Sequence, residues 1–76
     1  MRVLLAGGAG YIGSHTAKLL KFRGIEPVVY DNLSTGHRSS VRYGPLVQAD
    51  ILDTMLLTET ILRYMPVAVI HFAASA

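Results

Sequence analysis

Four short apolar segments recur along the chain, at residues 3–6, 27–30, 46–49 and 67–70, and polar positions do not alternate with apolar ones inside them. An alternating pattern would indicate a sheet with one face in water, whereas an uninterrupted apolar run is typical of a parallel strand buried on both faces. Only Gln48 interrupts a run. The pattern therefore predicts four parallel β-strands.

Two segments between the strands have helical spacing. Residues 11–23 form the first, and Gly24 follows as a C-terminal stop. Asp53 or Thr54 can cap the second, which runs to residue 64 and ends before Pro66. The faces that we expect to pack on the sheet carry Ile12, Gly13, Thr16, Ala17 and Leu20 in the first helix, and Leu57, Ile61 and Tyr64 in the second.

A glycine-rich segment joins the first predicted strand to the first helix. Gly7, Gly10 and Gly13 have the spacing G-x-x-G-x-x-G, and Gly8 with the last two also gives G-x-G-x-x-G. Glycine permits a tight turn and leaves no Cβ between the backbone and a phosphate. The next helix directs unpaired N–H groups and the positive end of its dipole at the anion. The glycine spacing alone is weak evidence for a phosphate site, because glycine-rich turns are common.

An acidic residue about 20 positions further on is the other part of a dinucleotide-binding motif. Asp31 follows the second apolar run, at the strand end where parallel sheets bind ligands. Strand, glycine turn, helix and acid together predict dinucleotide binding. Asp31 can accept hydrogen bonds from both hydroxyls of the adenosine ribose, and its charge would repel a 2′-phosphate, so NAD is favoured over NADP.

Plainer interpretations stay open for several polar residues. Asp-Asn and Ser-Thr-Gly, in residues 31–36, are ordinary turn formers. Arg38 and Arg42 could receive a 2′-phosphate if the cofactor carried one. We expect His15, early in the first helix, to be packed or solvent-facing rather than catalytic.

The order of the elements predicts an α/β fold, the N-terminal half of a Rossmann-type doubly wound parallel sheet with strand order 3-2-1-4 and right-handed crossovers. The fourth strand would be an exposed apolar edge, which natural proteins avoid. The chain has 76 residues, against about 100–150 for a typical domain. We therefore expect residues 1–76 to be the N-terminal part of an NAD-binding Rossmann domain whose catalytic and substrate-binding parts are absent.

Composition narrows the class of protein. Hydrophobic residues make up 51% and the mean hydropathy is +0.41, as in buried strands rather than in a disordered tail. The net charge is +2 and the charges are scattered, so we expect no nucleic-acid partner. The absence of cysteine excludes disulfides and thiolate metal sites, and fits a cytoplasmic location. We expect no metal site. We also expect no membrane partner, because no apolar run is long enough to span a bilayer.

Four segments, residues 7–15, 31–38, 50–51 and 71–74, resemble the extended short-chain dehydrogenase/reductase family, and within it the NAD-dependent epimerases and dehydratases of nucleotide sugars. The second segment is the most specific, because sister enzymes usually differ after the aspartate, and Tyr11 also fits the epimerases. The resemblance covers the whole chain. Besides Gly7, Gly10 and Gly13 of the glycine motif, it implies cofactor contacts through the backbone of Tyr11 and Ile12 for the pyrophosphate, at Asp31, Asn32, Leu33, Ser34, Thr35 and Gly36 for the adenosine ribose, at Asp50 and Ile51 for adenine, and at Phe72, Ala73, Ala74 and Ser75 for the inner phosphate and ribose.

The resemblance also implies an activity. It is that of an isomerase of galactose metabolism, a homodimer, which interconverts UDP-glucose and UDP-galactose by moving hydride from sugar C4 to NAD and back. The base in that family is a tyrosine in a Tyr-x-x-x-Lys pair, but none of the four tyrosines here has a lysine four residues later. Catalytic residues are therefore expected beyond Ala76. A related 4,6-dehydratase or decarboxylase, and a non-catalytic NAD-binding module, remain alternatives.

Overall fold

A four-stranded, all-parallel sheet forms the centre of the computed structural model, which describes residues 1–34 and 36–72. The strand order is β3-β2-β1-β4. This confirms the predicted α/β class and topology. The elements are β1 (Arg2–Ala6), α1 (Tyr11–Phe22), β2 (Glu26–Asp31), a short 3₁₀ helix (Arg38–Ser40), β3 (Leu46–Gln48), α2 (Thr54–Tyr64) and β4 (Ala68–His71).

The two faces of the sheet are covered by different helices. Alternate residues of β1 and β2, such as Leu5 and Val29, pack with Ala17 of α1. The residues between them, such as Leu4 and Val28, belong to a second cluster that Leu56, Leu57 and Tyr64 of α2 cover. Both faces of the central strands are buried, which explains why their apolar runs contain no polar alternation.

The element boundaries differ by at most one residue from the predicted ones. β1 begins at Arg2, which is paired in the ladder with Glu26 and forms an exposed ion pair with it at 2.7 Å. β4 is shifted by one residue towards its carboxyl end. α1 ends at Phe22 because Gly24, with φ +76°, turns the chain away through the conformation that glycine adopts readily.

Two predicted packing positions on the helices are wrong. Ile12 is 66% exposed and Ile61 is 38% exposed. In α1 the line of closest approach runs through the buried Gly13 and Ala17, and Ile12 lies about 100° around the helix from Gly13. In α2 the buried position is Thr60, whose hydroxyl donates to the carbonyl of Leu56 at 2.7 Å. A threonine can be buried there because its hydroxyl is satisfied within the helix.

β4 pairs with β1 alone within the described part of the chain, and all four of its residues are exposed. The predicted exposed apolar edge is thus present. Across residues 1–34 and 36–72, none of the helices has the length and apolar character that crossing a bilayer would require.

Candidate functional site

The turn between β1 and α1 lies at the carboxyl edge of the sheet and packs closely on it. Gly7 has φ +78°, which favours glycine, and its N–H donates to the carbonyl of Tyr30 at 2.7 Å. A Cβ added at Gly8 would lie 2.8 Å from the Cβ of Leu5. The turn is therefore fixed against β1 and β2.

The other two glycines of the motif have different roles. A Cβ on Gly13 would lie 2.5 Å from the Cα of Gly8, so its lack of a side chain lets α1 approach the turn. A Cβ on Gly10 would meet no atom within 4 Å. Gly10 is the N-cap of α1, and no side chain caps the helix there. The first-turn N–H groups of Tyr11 and Ile12 thus begin the helix beside open space, as an anion site requires.

Asp31 links the glycine turn to the loop that follows β2. Its Oδ2 accepts a hydrogen bond from the N–H of Ala9 at 2.9 Å, and its Oδ1 accepts one from the N–H of Leu33 at 2.7 Å. The side chain is half-buried at the carboxyl end of β2. Each carboxylate oxygen has two acceptor positions, so one position on each oxygen is left for a ligand hydroxyl.

The loop after Asp31 lies directly against the glycine turn. A Cβ on Gly36 would lie 2.6 Å from the carbonyl oxygen of Ala9. Asn32 Oδ1 accepts from the N–H of Ser34 at 2.9 Å, and Leu33 packs its side chain on the core beneath α1. The structure therefore brings the residues predicted for the pyrophosphate and for the adenosine ribose together. Thr35 lies outside the described residues.

A cleft of about 50 Å³ opens beside Asp31, between the ends of β2 and β3. Of the two residues predicted to contact adenine, Ile51 lines this cleft and Asp50 does not. The exposed Asp50 carboxylate instead accepts from the N–H of Leu52 at 2.9 Å, which shapes the turn before α2. The residues that line the cleft are Gly7, Tyr30, Asp31, Asn32, Ala49 and Ile51.

Tyr30 also lines the cleft beside Asp31, and the sequence did not predict this position for it. Its ring is 1% exposed, and its hydroxyl donates to the carbonyls of Asp50 at 3.0 Å and Asp53 at 3.3 Å. Burial raises the pKa of the Tyr30 phenol, and the negative charges of Asp53 and Asp50 raise it further. The hydroxyl thereby holds the turn that carries Ile51. A tyrosine at the end of a buried strand was the available signal, because a buried phenol needs a hydrogen-bond partner.

Of the remaining predicted residues, Phe72 lies beside the glycine turn, and the two arginines lie away from the cleft. Phe72 leaves β4 next to the glycine turn, where its N–H donates to the carbonyl of Ala6 at 2.7 Å and its ring is half-buried. Ala73, Ala74 and Ser75 lie outside the described residues. Arg38 donates to the side chain of Gln48, and Arg42 donates to the carbonyl of Ser39 at 3.2 Å. Neither arginine lines the cleft beside Asp31.

Comparison with known proteins agrees with this geometry. Residues 3–76 match the model of the NAD dependent epimerase/dehydratase family. A UDP-glucose 4-epimerase of Rhizobium leguminosarum bv. trifolii is 53% identical over 72 residues, which are 95% of this chain and 22% of that protein.

Two solved structures are similar over almost the entire chain. The UDP-glucose 4-epimerase of Brucella ovis in complex with NAD is 68% identical, with a TM-score of 0.96, and the match covers 99% of this chain and 23% of that one. The Thermus thermophilus UDP-glucose 4-epimerase complex with NAD is 43% identical, with a TM-score of 0.92, and the match covers 100% of this chain and 25% of that one. The chain spans about a quarter of the length of these proteins. On the match of residues 3–76, the chain belongs to the NAD-dependent epimerase/dehydratase family.

Proposed function

We propose that this chain is the N-terminal, NAD-binding part of a UDP-glucose 4-epimerase. The observation that carries the proposal is the position of Asp31, whose carboxylate contacts the glycine turn and at the same time borders the cleft between β2 and β3. In doubly wound sheets ligands bind at the carboxyl ends of the strands, so the position of Asp31 between the turn and the cleft supports a dinucleotide contact there.

The pyrophosphate would lie against the first turn of α1. The open space at Gly10 and the uncapped helix N-terminus fit this group, because backbone N–H groups and the helix dipole both favour an anion there. Tyr11 and Ile12 would contribute through their backbone N–H groups, which lie in the first turn of the uncapped helix. Gly7 and Gly13 contribute indirectly, by holding the turn and the helix in place.

The adenosine ribose would lie on Asp31 and the loop at residues 32–36. A carboxylate whose second acceptor positions are open can accept hydrogen bonds from both ribose hydroxyls. It would also place a negative charge beside a 2′-phosphate, at a cost of about 4 kcal/mol for two charges 4 Å apart at an effective dielectric constant near 20. This is the physical basis for proposing NAD rather than NADP.

Adenine would enter the cleft beside Asp31, in contact with the half-buried Ile51. The cleft is smaller than the 300–1,000 Å³ of a typical ligand pocket, so part of the base would lie over its rim. The inner phosphate and ribose are proposed to contact Phe72, Ala73, Ala74 and Ser75, at the end of the strand that crosses to the other side of β1.

The catalytic residues are proposed to lie beyond Ala76, because no Tyr-x-x-x-Lys pair occurs in the chain. NAD, when bound, supplies the acceptor for hydride from sugar C4 and the donor that returns it to the other face. The residues of this chain bind and orient that cofactor. The names of the relatives at 53% and 68% identity support the UDP-glucose/UDP-galactose pair as substrates. We extend the proposal to a cytoplasmic homodimer that acts in galactose metabolism.

The proposal is tested on the full-length protein. Purified enzyme should contain NAD and convert UDP-galactose to UDP-glucose without net oxidation, and residues 1–76 alone should have no turnover. Release of a 4-keto-6-deoxy sugar nucleotide, or of carbon dioxide from a UDP-uronic acid, would instead identify a dehydratase or a decarboxylase. Bound NAD with no turnover of any nucleotide sugar would favour the binding module.

A further inference from the structure

A second cavity, of about 260 Å³, lies between the exposed side of α1 and the segment that leads into β3. It is separate from the cleft beside Asp31 and shares no lining residue with it. The residues that line it are Ser14, His15, Lys18, Ser40, Arg42 and Tyr43. No acidic residue is among them, although the chain contains five.

The cavity keeps free donor capacity, although the Ser14 hydroxyl donates to the carbonyl of Tyr11 at 2.9 Å and Lys18 Nζ lies 6.0 Å from the centre of the Phe22 ring. Lys18 and Arg42 form no ion pair among residues 1–34 and 36–72, where Arg2 pairs with Glu26. The hydroxyls of Ser40 and Tyr43 have no hydrogen-bond partner within the same residues. Cationic and hydroxyl donors without a neighbouring carboxylate are the groups that bind phosphate oxygens.

Two contacts hold the cavity walls in position. The Arg42 Nε donates to the carbonyl of Ser39 at 3.2 Å, which anchors the guanidinium to its loop and leaves its Nη groups for another partner. The His15 ring meets the ring of Tyr11 edge to face, with centroids 4.5 Å apart. Both arrangements reduce the side-chain freedom that a ligand would otherwise have to restrict.

We propose that this cavity binds a phosphate-bearing small molecule through its phosphate group. Lys18 and Arg42 supply the charge, and Ser40 and Tyr43 supply neutral donors. Lys18, which supplies part of the charge, lies seven residues beyond Tyr11, about 10 Å along the helix axis at 1.5 Å per residue. None of the residues that line the cavity is among those proposed to bind the pyrophosphate. The volume exceeds that of a bare oxyanion and leaves room for a small attached group.

The test measures the binding of inorganic phosphate to the full-length protein by calorimetry, at constant ionic strength in chloride. NAD and UDP are present at saturating concentrations, so that the cofactor and nucleotide positions are filled. Saturable binding to the wild-type protein should weaken about tenfold in the double variant Lys18→Gln/Arg42→Gln, because each substitution removes one charged contact to the anion. The matched control, Lys21→Gln/Arg23→Gln, removes the same net charge from α1 and the residue after it, outside the cavity, and should bind phosphate as the wild type does.

Three results would overturn the proposal. The first is the absence of saturable phosphate binding to the wild-type protein. The second is an equal loss of binding in the control, which would mean that net charge alone attracts the ion. The third is a parallel loss of NAD affinity in the cavity variant, which would make the cavity a part of the cofactor site. The circular dichroism and thermal midpoint of the variants show whether each has folded.

Discussion

The Oδ2 atom of Asp31 accepts a hydrogen bond of 2.9 Å from the backbone N–H of Ala9, 22 residues earlier in the chain. This contact joins the two parts of the dinucleotide motif. The carboxylate proposed to bind the ribose is also the group that fixes the glycine turn, so the proposed ribose contact and the shape of the turn depend on one side chain.

Replacement of Asp31 is expected to change both cofactor affinity and cofactor choice. Asp31→Asn keeps one acceptor oxygen but removes the charge, so NAD should bind about tenfold more weakly and the preference for NAD over NADP should narrow. Asp31→Ala should weaken NAD binding further, because the N–H of Ala9 in the glycine turn then has no partner, at a cost of about 1–3 kcal/mol. Calorimetric affinities of the full-length protein for both cofactors check this.

Glu59→Gln is the control for the Asp31 variants, since it removes the same charge from the exposed side of α2. It should leave both affinities unchanged. An unaltered ratio of NAD to NADP affinity in both Asp31 variants would remove this residue from the ribose site.

Substitutions at Gly10 and Gly13 should separate cofactor binding from stability. Gly10 has φ −78° and open space at its Cβ position, so Gly10→Val should fold but fill the space proposed for the pyrophosphate. Gly13→Ala should lower the thermal midpoint instead, because its Cβ would meet the backbone of Gly8 at 2.5 Å, an overpacking that costs about 1–3 kcal/mol.

The measurements for this pair are the NAD content of the purified variants and their thermal denaturation curves. Gly10→Ala is the intermediate case, with a methyl group in the same open space. Stoichiometric NAD in purified Gly10→Val would refute the assignment of the turn. A Gly13→Ala variant as stable as the wild type would show that the helix can move away from Gly8 at no cost.

The sequence predicted the strands and the position of Asp31, because each follows from a local pattern: uninterrupted apolar runs, glycine spacing and an acid at a strand end. The strand order followed from the order of the elements and the handedness of their crossovers. The sequence did not predict which side of α1 faces the sheet at Ile12, because that rotation is set by the contact between Gly13 and Gly8, two residues without side chains. It also missed the hydrogen bonds of Tyr30, because they reach carbonyls 20 and 23 residues away. Contacts of that kind depend on tertiary structure and leave no periodic signal.

Tyr30→Phe is expected to lower the free energy of unfolding by about 1 kcal/mol near neutral pH, since the phenol loses its bonds to the carbonyls of Asp50 and Asp53. The raised pKa of Tyr30 adds a pH dependence. The folded state holds the proton to a higher pH than the unfolded state, whose value is about 10. The contribution of Tyr30 is therefore fully present below pH 10 and decreases as the pH rises from there through the folded-state pKa.

Denaturant titrations of the wild-type protein and the variant, at neutral pH and above pH 10, measure both effects. The stability difference between them should shrink at the higher pH. Tyr43→Phe is the control, because the Tyr43 hydroxyl has no hydrogen bond within the described residues. An equal difference at both pH values would show that the pKa of the Tyr30 phenol is the same in the folded and unfolded states.

Residues 1–76 expressed alone are expected not to be a stable monomer. β4 pairs only with β1 in the described part of the chain, so the backbone N–H and C=O groups on its other side form an open edge, and its apolar Val69 and Ile70 are exposed. Such an edge pairs readily with another chain. We expect oligomers or aggregates joined through β4, or a loosely packed state that binds NAD poorly.

Sedimentation and chemical denaturation of residues 1–76 test this expectation, and one pair of variants locates the cause. Val69→Lys places a charge on the open edge, where it should suppress association without adding stability, because charged edge residues oppose strand pairing. Leu52→Lys places the same charge on the exposed turn before α2, away from the edge, and should leave association unchanged. If the unmodified segment is instead a monomer with a cooperative transition and several kcal/mol of stability, the open edge has no cost in water. The segment would then fold as an independent unit, and a self-contained NAD-binding module would become the better description of its function.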